Sequence, residues 1–457
     1  MSDSKSSFLK MSEKVAFDPE HRRKINFNIG KYDQAVLIGK KRYANLELAK
    51  QRAYSIKYKV LTHLDKYLVE FEANFQRNGG KVIWARDAAD AVKEITKLLE
   101  NEKIDKIVKS KSMTTEEIDL NHHLEKKKIK VFETDLGEFI VQTAGEKPYH
   151  IVTPAMHKSK EDVAKLYTEK FDLPPNSTPE EITAYTRKIM RKEFAEAGAG
   201  ITGANFLIAD TGSIALTENE GNGLLTMASP KLHIAIAGIE KLLPSIDDLD
   251  LFWPLLATHG TGQTMTVYNS IVSGPSKNGN GPTQMIVVLL DNGRTELLAK
   301  ARQRIALACI RCGACLNVCP VYKNIGGYSY ETTYSGPIGS VITPHMKGMK
   351  EYQHLSFAST ICGACTDVCP VKIPLHELLL INRNEAVNKK LVSSSDKFII
   401  INSTRFLNSR KLLDMTSGDT KNIVLKYFVS KSWGTRRKMP LLAKKSFSQL
   451  WKERKEE

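Results

Sequence analysis

All seven cysteines of this 457-residue chain lie between Cys309 and Cys369. They form two groups with gaps of two or three residues, and their number is odd. The N-terminus is polar and has no apolar signal segment, which predicts a cytoplasmic protein, and disulfides are rare in the cytoplasm. The clustering therefore predicts that the thiols bind metal. The seven are Cys309, Cys312, Cys315, Cys319, Cys362, Cys365 and Cys369.

The two groups share one frame. The first reads C-x2-C-x2-C-x3-C-P from Cys309 to Pro320, and the second repeats it from Ser359 to Pro370 with serine in the first place. This spacing is used to bind a pair of iron–sulfur clusters. Two-residue gaps let one tight loop direct three thiolates at one cube, and the proline turns the chain so that the last cysteine serves the other cube. The alternatives are a zinc site or inert buried cysteines, but zinc does not explain two Cys-Pro endings.

If the last cysteine of each run binds the cluster held by the other run, the ligands of two [4Fe–4S] clusters can be predicted. Cluster one takes Cys309, Cys312, Cys315 and Cys369, and cluster two takes Cys319, Cys362 and Cys365. Cluster two is one thiolate short, and Ser359 occupies the expected place. The serine could be a weak oxygen ligand, the mark of a [3Fe–4S] cluster, or a bystander beside an open iron. The sequence does not choose among these three.

The rest of the chain predicts an α/β domain. Short apolar runs alternate with amphipathic segments, which indicates βαβ units and a parallel sheet. The predicted strands are 81–85, 104–109, 129–134, 205–210, 213–216, 233–237 and 285–290. The predicted helices are two within 32–78, then 87–99, 114–124, 161–170, 180–196, 297–308 and 377–388. We expect residues 255–282 to form a glycine-rich surface loop.

Composition then suggests where the domains divide. We expect a loosely held polar arm over residues 1–30 and an α/β domain with a helical lead-in over 31–298. A mainly α-helical two-cluster domain follows over 299–382, and a short basic C-terminal domain covers 383–457. The catalytic residues, if any, are unknown at this point.

A second candidate site lies between Asp210 and Gly223, a polar, glycine-rich segment between strands. Glycines expose backbone N–H groups, which suits an anionic ligand. Glu218-Asn219 is similar to a CoA-transferase loop with a nucleophilic glutamate, but no catalytic partner can be named, and a structural turn is the simpler interpretation. Ser110-Lys111-Ser112 could bind phosphate at a helix N-terminus or be an ordinary cap. The side chains available in the first segment are Thr211, Ser213, Glu218, Asn219 and Glu220.

The charge balance is basic, with 67 Lys+Arg against 51 Asp+Glu and a net charge of +16. Such a balance favours an acidic partner, although a solvated surface is the simpler interpretation. The basic tail includes Arg436-Arg437-Lys438 and Lys444-Lys445, with Trp433 and Trp451 among them. No zinc finger or stacking repeat accompanies it, so we expect no nucleic acid. No apolar run approaches the roughly 18 residues of a membrane span, which leaves only peripheral membrane contact open.

Several segments together resemble the lactate utilisation protein B family, whose members are iron–sulfur subunits of a bacterial L-lactate oxidation system. The resemblance extends from about Tyr32 to the basic tail. It implies an α/β domain similar to the sugar-phosphate isomerase and CoA-transferase fold, companion subunits A and C, and an electron acceptor. The family pattern also has serine at the place of Ser359. The segments are Ser110–Asn121, Glu133–Gln142, Gly203–Gly223, Gly326–Pro344, and the cysteine runs with Val371–Pro374.

Three functions are compatible with these features. Two clusters without a dinucleotide fingerprint favour an electron-carrying subunit in the oxidation of L-lactate to pyruvate, rather than the site of lactate chemistry. The alternative is an acyl- or phosphate-ligand enzyme of CoA-transferase-like fold, in which the clusters are structural. A cluster-containing nucleic-acid binder is motivated only by charge.

Overall fold

The computed structural model describes residues 3–429 and 438–456. The chain divides into two compact units, Met1–Glu385 and Ala386–Glu457. Trp433 and the Arg436-Arg437 pair lie outside the described residues. The domain boundaries at 298/299 and 382/383 stay predictions.

The chain begins with a helical layer. Asp18 caps the second helix by accepting hydrogen bonds from the backbone N–H groups of Glu20 and His21, at 3.0 and 3.1 Å. Phe8, Ile25 and Ile29 are buried in the core of the first unit. The expectation of a loosely held arm over residues 1–30 is therefore wrong, because a few apolar residues on one helix face suffice to attach a polar segment. The helices are α1 (Asp3–Ala16), α2 (Pro19–Lys40), α3 (Leu46–Thr62) and α4 (Leu64–Arg77).

A six-stranded parallel sheet follows, as the alternation of strands and helices predicted. Its order is β1-β10-β7-β4-β2-β3. The central strand β7 is buried along its whole length, as expected for a strand covered on both faces. The strands are β1 (Lys81–Ala85), β2 (Lys106–Lys109), β3 (Lys130–Glu133), β4 (Ala199–Gly203), β7 (Leu232–Gly238) and β10 (Gln284–Leu290).

A smaller sheet packs beside it, in the order β8-β5-β6-β9. The predicted pairing of two strands around Thr211-Gly212 is confirmed, because β5 and β6 are antiparallel. The strands are β5 (Phe206–Ile208), β6 (Ser213–Glu218), β8 (Leu242–Leu243) and β9 (Tyr268–Val272). The helices of this α/β region are α5 (Ala88–Asn101), α6 (Met113–Glu117), α7 (Leu120–Lys126), α8 (Leu136–Thr143), α9 (Lys160–Phe171), α10 (Pro179–Glu196), α11 (Asn222–Ala228), α12 (Leu249–Thr261) and α13 (Arg294–Leu298).

Three local predictions are wrong. The helix predicted over 114–124 is interrupted at Asp119, whose φ is 51°, and forms α6 and α7. Residues 255–282 contain the end of α12, whose Leu255 and Ala257 are buried in the core, and all of β9, which pairs with β6. The helix predicted over 297–308 is broken. Helix α13 ends at Leu298, and a 3-10 turn at Arg304–Ala308 leads into the first cysteine.

The cysteine region is mainly helical, as predicted. Short helices follow each cysteine loop, and the helices after the two loops contact one another. The helices are α14 (Ala314–Val318), α15 (Pro320–Ile325), α16 (Gly336–Met346), α17 (Met349–Phe357), α18 (Ala364–Asp367) and α19 (Leu375–Asn388).

The second unit is a set of short helices with many exposed apolar side chains. They are α20 (Ser394–Leu407), α21 (Arg410–Asp414), α22 (Gly418–Val424), a π-helical turn at Leu425–Val429, and α23 (Phe447–Glu456). Within the described ranges, no helix combines the length and apolarity needed to cross a membrane.

Candidate metal centre

The first cysteine loop has a tightly constrained backbone. Arg311 and Gly313 both have positive φ, 62° and 80°, which turns the chain twice within five residues. The turn lets the Arg311 N–H donate to Cys309 Sγ at 3.4 Å. A Cβ on Gly313 would lie 2.9 Å from a methyl group of Val152, so glycine is required by both conformation and space.

The second loop repeats this backbone fifty positions later. Ile361 and Gly363 have φ of 53° and 84°, and the Ile361 N–H donates to Ser359 Oγ at 3.2 Å. Ser359 therefore occupies the same place in its loop as Cys309 does in the first. The guanidinium of Arg383 on α19 also donates to the carbonyl of Ser359 at 2.9 Å, which ties this loop to the helix.

The thiols influence one another in two separate groups. Burial raises the pKa of Cys312, and the neighbouring Cys309 and Cys369 raise it further. Burial likewise raises the pKa of Cys365 to about 11, with Cys319 and Cys362 as the thiols that add to it. Thiolates in such places require a compensating positive charge, which iron provides. The two groups have the same members as the predicted ligand sets.

A small cavity lies among the thiols of the first group. Its walls include Cys309, Cys312, Cys315 and Cys369, among apolar side chains such as Ile338 and Leu375. The fourth thiol comes from the second run, as the crossing requires. The second group is more open, since Cys362 is exposed while Cys319 and Cys365 are buried.

The distances between cysteine sulfurs distinguish a site for an iron–sulfur cluster from a site for a single metal ion. A zinc bound by thiolates at about 2.3 Å holds its sulfurs about 3.8 Å apart, because one ion touches all of them. Among the described residues, no three cysteine sulfurs lie within 4.8 Å of one another. Thiolates around a cube lie further apart, because each binds a different iron. The cysteines therefore fit iron–sulfur clusters and do not fit zinc.

One group of three carboxylates does lie within 4.8 Å, namely Glu116, Glu133 and Glu138. The ammonium of Lys109 already occupies it, 2.9 Å from Glu133 and 3.4 Å from Glu116. Burial and the charge of Glu133 raise the pKa of Glu138 well above its usual value, so we expect its carboxyl to be neutral. This group is a buried ion pair.

A charged network fixes the first loop against the carboxyl edge of the parallel sheet. The buried Arg294 donates to Glu240 at 2.6 Å and to Glu117 at 2.8 Å. From the cysteine region, the Tyr334 hydroxyl donates to Glu117 at 2.6 Å, and Arg311 lies 3.5 Å from Glu240. Burial alone would raise the pKa of Glu240, but Arg294 and Arg311 outweigh it and hold it at about 2.

A larger cavity of about 420 Å³ opens at the same edge. It brings together both candidate segments, Ser110–Ser112 and Glu218–Glu220, and its wall also includes Lys241, Arg311 and Cys312. Sequence reasoning missed Lys241 and the side chain of Arg311. The available signal was that Lys241 closely follows the buried strand β7, and carboxyl ends of parallel strands gather ligand sites.

Several of the predicted residues already have structural partners. Thr211 and Ser213 do not line the cavity, and the Ser213 hydroxyl donates to that of Thr211 at 2.8 Å. Both oxygens of Glu218 accept backbone N–H groups, from Gly223 at 2.6 Å and Leu224 at 2.7 Å. Glu218 thereby caps α11, which weakens the interpretation of it as a nucleophile.

Asn219, Glu220 and Ser112 have partners too, and the Asn219 amide donates to Gln263 Oε1 at 3.1 Å. Burial raises the pKa of Glu220 to about 7, and its carboxylate accepts the Leu136 N–H at 3.1 Å. Ser112 caps α6 by accepting from the Thr115 N–H at 3.3 Å, so Ser112 is an ordinary helix cap.

Comparison with known proteins supports both regions. A family model of the LUD domain matches residues 68–290, and a model of the 4Fe-4S dicluster domain matches residues 305–373. The chain is 45% identical over 349 residues to "Lactate utilization protein B" of Bacillus velezensis, covering 76% of this chain and 73% of the relative. The protein of the same name from Bacillus subtilis matches with the same identity and coverage.

A solved structure of a duf162 family protein from Deinococcus radiodurans covers 50% of this chain and 98% of its own, at 16% identity and a TM-score of 0.29. The assignment therefore depends on the sequence relatives and on the cysteine geometry. Together these show that the cysteine runs are those of an iron–sulfur protein. The chain belongs to the lactate utilization protein B family.

Proposed function

We propose that this chain is the iron–sulfur electron-carrying subunit of a cytoplasmic system that oxidises L-lactate to pyruvate. The observation that carries the proposal is the division of the thiols into two groups, one of which lines a cavity with a cysteine from the opposite run. The names of the relatives support lactate as the substrate of the system.

The cysteines would hold two clusters by crossed ligation. Cys369 joins the first-loop thiols Cys309, Cys312 and Cys315, while Cys319 joins Cys362 and Cys365 of the second loop. Each cluster, when bound, supplies a one-electron redox centre. The protein fixes the loops through positive-φ turns, aims backbone N–H groups at sulfur, and holds the first group in an apolar enclosure.

The chemistry on lactate belongs to a partner. Oxidation of lactate to pyruvate releases two electrons and two protons, and this chain has no dinucleotide fingerprint with which to hold a hydride carrier. Companion subunits, which the family resemblance implies as A and C, would supply the oxidising site. A separate acceptor would take the electrons onward.

A second candidate is an enzyme acting on an acyl or phosphate ligand in the α/β domain. The cavity of about 420 Å³ favours it. The capping role of Glu218 counts against a nucleophilic glutamate at that position. Turnover by the purified chain without an electron acceptor would establish it.

The test is anaerobic purification of the chain alone and together with its companions. Iron should reach about seven to eight and acid-labile sulfide about eight per chain, as expected for one four-iron cube plus a three- or four-iron cluster. Lactate should reduce the clusters only when the companions are present, and EPR measures this reduction. A chain that carries zinc instead of iron after reconstitution would disprove the cluster assignment. Lactate oxidation by the lone, flavin-free chain would disprove the relay role.

A further inference from the structure

The cavity of about 420 Å³ lies where parallel α/β sheets bind ligands. Ser110 follows β2, Ala204 follows β4, and Lys241 lies just beyond β7, so its lining comes from the carboxyl ends of three neighbouring strands. That edge is the usual binding crevice of such sheets. Arg311 and Cys312 of the first cysteine loop also line the cavity.

The cavity wall presents buried donors that need an acceptor. Neither Ser110 Oγ nor Arg311 Nη1 has a hydrogen-bond partner among the described residues. Ser110 is 4% exposed, and the side chain of Arg311 is 9% exposed. Lys241, 8% exposed, adds a second cation close to Arg311. Unpaired buried donors are unfavourable, and two buried cations favour an anion.

Another part of the wall is acidic, because Asp135, Glu218 and Glu220 line it. Glu218 and Glu220 lie beside the starts of α11 and α8, where they accept the Gly223 and Leu136 N–H groups at 2.6 and 3.1 Å. Arg311 lies instead 3.5 Å from Glu240, just beyond β7. The acidic and basic parts of the wall are therefore separate. Carboxylate oxygens accept hydrogen bonds, so the acidic part favours a ligand with hydroxyl donors.

We propose that the cavity binds a small hydroxylated organic anion. Its acidic group lies at Lys241 and Arg311, and its hydroxyl groups point toward Glu220 and Asp135. The acidic group can be the carboxylate of a hydroxy acid or the phosphate of a sugar phosphate, since both present oxygen acceptors of negative charge to the same two cations. This inference goes beyond the proposed function, because it assigns to the chain a ligand site of its own, whatever path electrons take.

The test is calorimetric binding to the anaerobically reconstituted full chain. The probes are L-lactate and ribose 5-phosphate, and each has a control that lacks the hydroxyls, propionate and inorganic phosphate respectively. At least one probe should bind at least tenfold more tightly than its control. Lys241→Gln should weaken that binding at least tenfold. The matched control is Lys231→Gln, an exposed lysine just before the opposite end of β7, which should change the affinity less than twofold.

Each outcome decides the proposal. Binding of L-lactate identifies a hydroxy acid, and binding of ribose 5-phosphate alone identifies a phosphorylated sugar. No saturable binding of either probe at millimolar concentration overturns the site. Binding that neither Lys241→Gln nor Ser110→Ala weakens would also overturn the site. If Lys241→Gln does not fold, Ser110→Ala, which removes only a hydroxyl, is the deciding variant. No companion or acceptor is present, so a failure here is separate from a failure of the relay, which is measured with the companions added. EPR of the same sample checks that its clusters are in place.

Discussion

The two cysteine loops have nearly the same backbone and very different surroundings. Both turn through a positive-φ residue and a positive-φ glycine, and both direct a backbone N–H at the side chain in first place. The first loop packs against the α/β domain, where a Cβ on Gly313 would meet Val152. A Cβ on Gly363 would meet nothing within 4 Å, and Cys362 is exposed.

The comparison shows that a repeated motif determines the backbone geometry of a loop but not which residues pack around that loop. Enclosure by apolar residues and charged neighbours is one of the factors that tune a cluster and protect it from solvent. Only the first loop has such an enclosure, and only the first loop has cysteine in first place. We expect the second loop to hold the more labile cluster, and matched substitutions in the two loops test this.

The largest difference should come from Cys312→Ala and Cys362→Ala. Cys312→Ala removes a ligand from the enclosed group and leaves the other buried thiols without iron, so we expect loss of cluster one and a clear fall in melting temperature. Cys362→Ala should remove cluster two and spare the EPR signal of cluster one. Iron content, EPR and thermal unfolding measure the pair. Equal falls in melting temperature would contradict the comparison.

Ser359→Cys should make the two loops alike. The serine oxygen lies where Cys309 Sγ lies in the first loop, so a thiolate there would complete the ligand set of cluster two. We expect the air-exposed wild type to show a three-iron EPR signal and Ser359→Cys to retain a four-iron cluster with a shifted potential.

Ser359→Ala is the control for that change. Loss of the four-iron form would identify the serine as a ligand, and no effect would identify a bystander. The prediction fails if the wild type shows no three-iron signal in air and both variants leave the spectra unchanged, because another ligand would then complete the cluster.

We expect the smallest difference between the loops for the variants Gly313→Ala and Gly363→Ala, measured as the free energy of unfolding. Both variants force alanine into a positive φ, which costs about 1–2 kcal/mol in the free energy of unfolding. Gly313→Ala must also displace Val152, so it should cost on the order of 1–3 kcal/mol more, as overpacking does. Denaturant unfolding of the two variants measures the difference. Equal costs would show that the first loop can move away from the α/β domain.

Sequence reasoning succeeded where the information is local. Apolar runs such as those of β7 and β10 predicted the parallel sheet, and the spacing of the cysteines predicted the iron–sulfur assignment that the dicluster family model supports. The two ligand sets stay a prediction. Sequence reasoning failed for residues 1–30, where Phe8, Ile25 and Ile29 are too few to stand out from their polar neighbours until a partner surface is known.

The cavity was beyond prediction for a similar reason. Lys241 and Arg311 lie seventy positions apart, and only the fold brings them together. Glu218 looked chemically available in the sequence, but its role is to cap α11. A side chain's chemistry depends on which hydrogen bonds it has already made, and those bonds are set by tertiary structure.

The position of Arg294 determines whether the regions matched by the two family models can be separated. It lies between residues 290 and 305, the end of one family model and the start of the next, and so belongs to neither. Its guanidinium nevertheless joins Glu117 and Glu240, which in turn hold Tyr334 and Arg311 beside the first cysteine loop. Cutting the chain just before Arg294 would leave Glu117 and Glu240 without this counterion on one side and the buried Arg294 without its carboxylates on the other. What looks like two exchangeable modules in the sequence is therefore expected to be inherited and expressed as one piece.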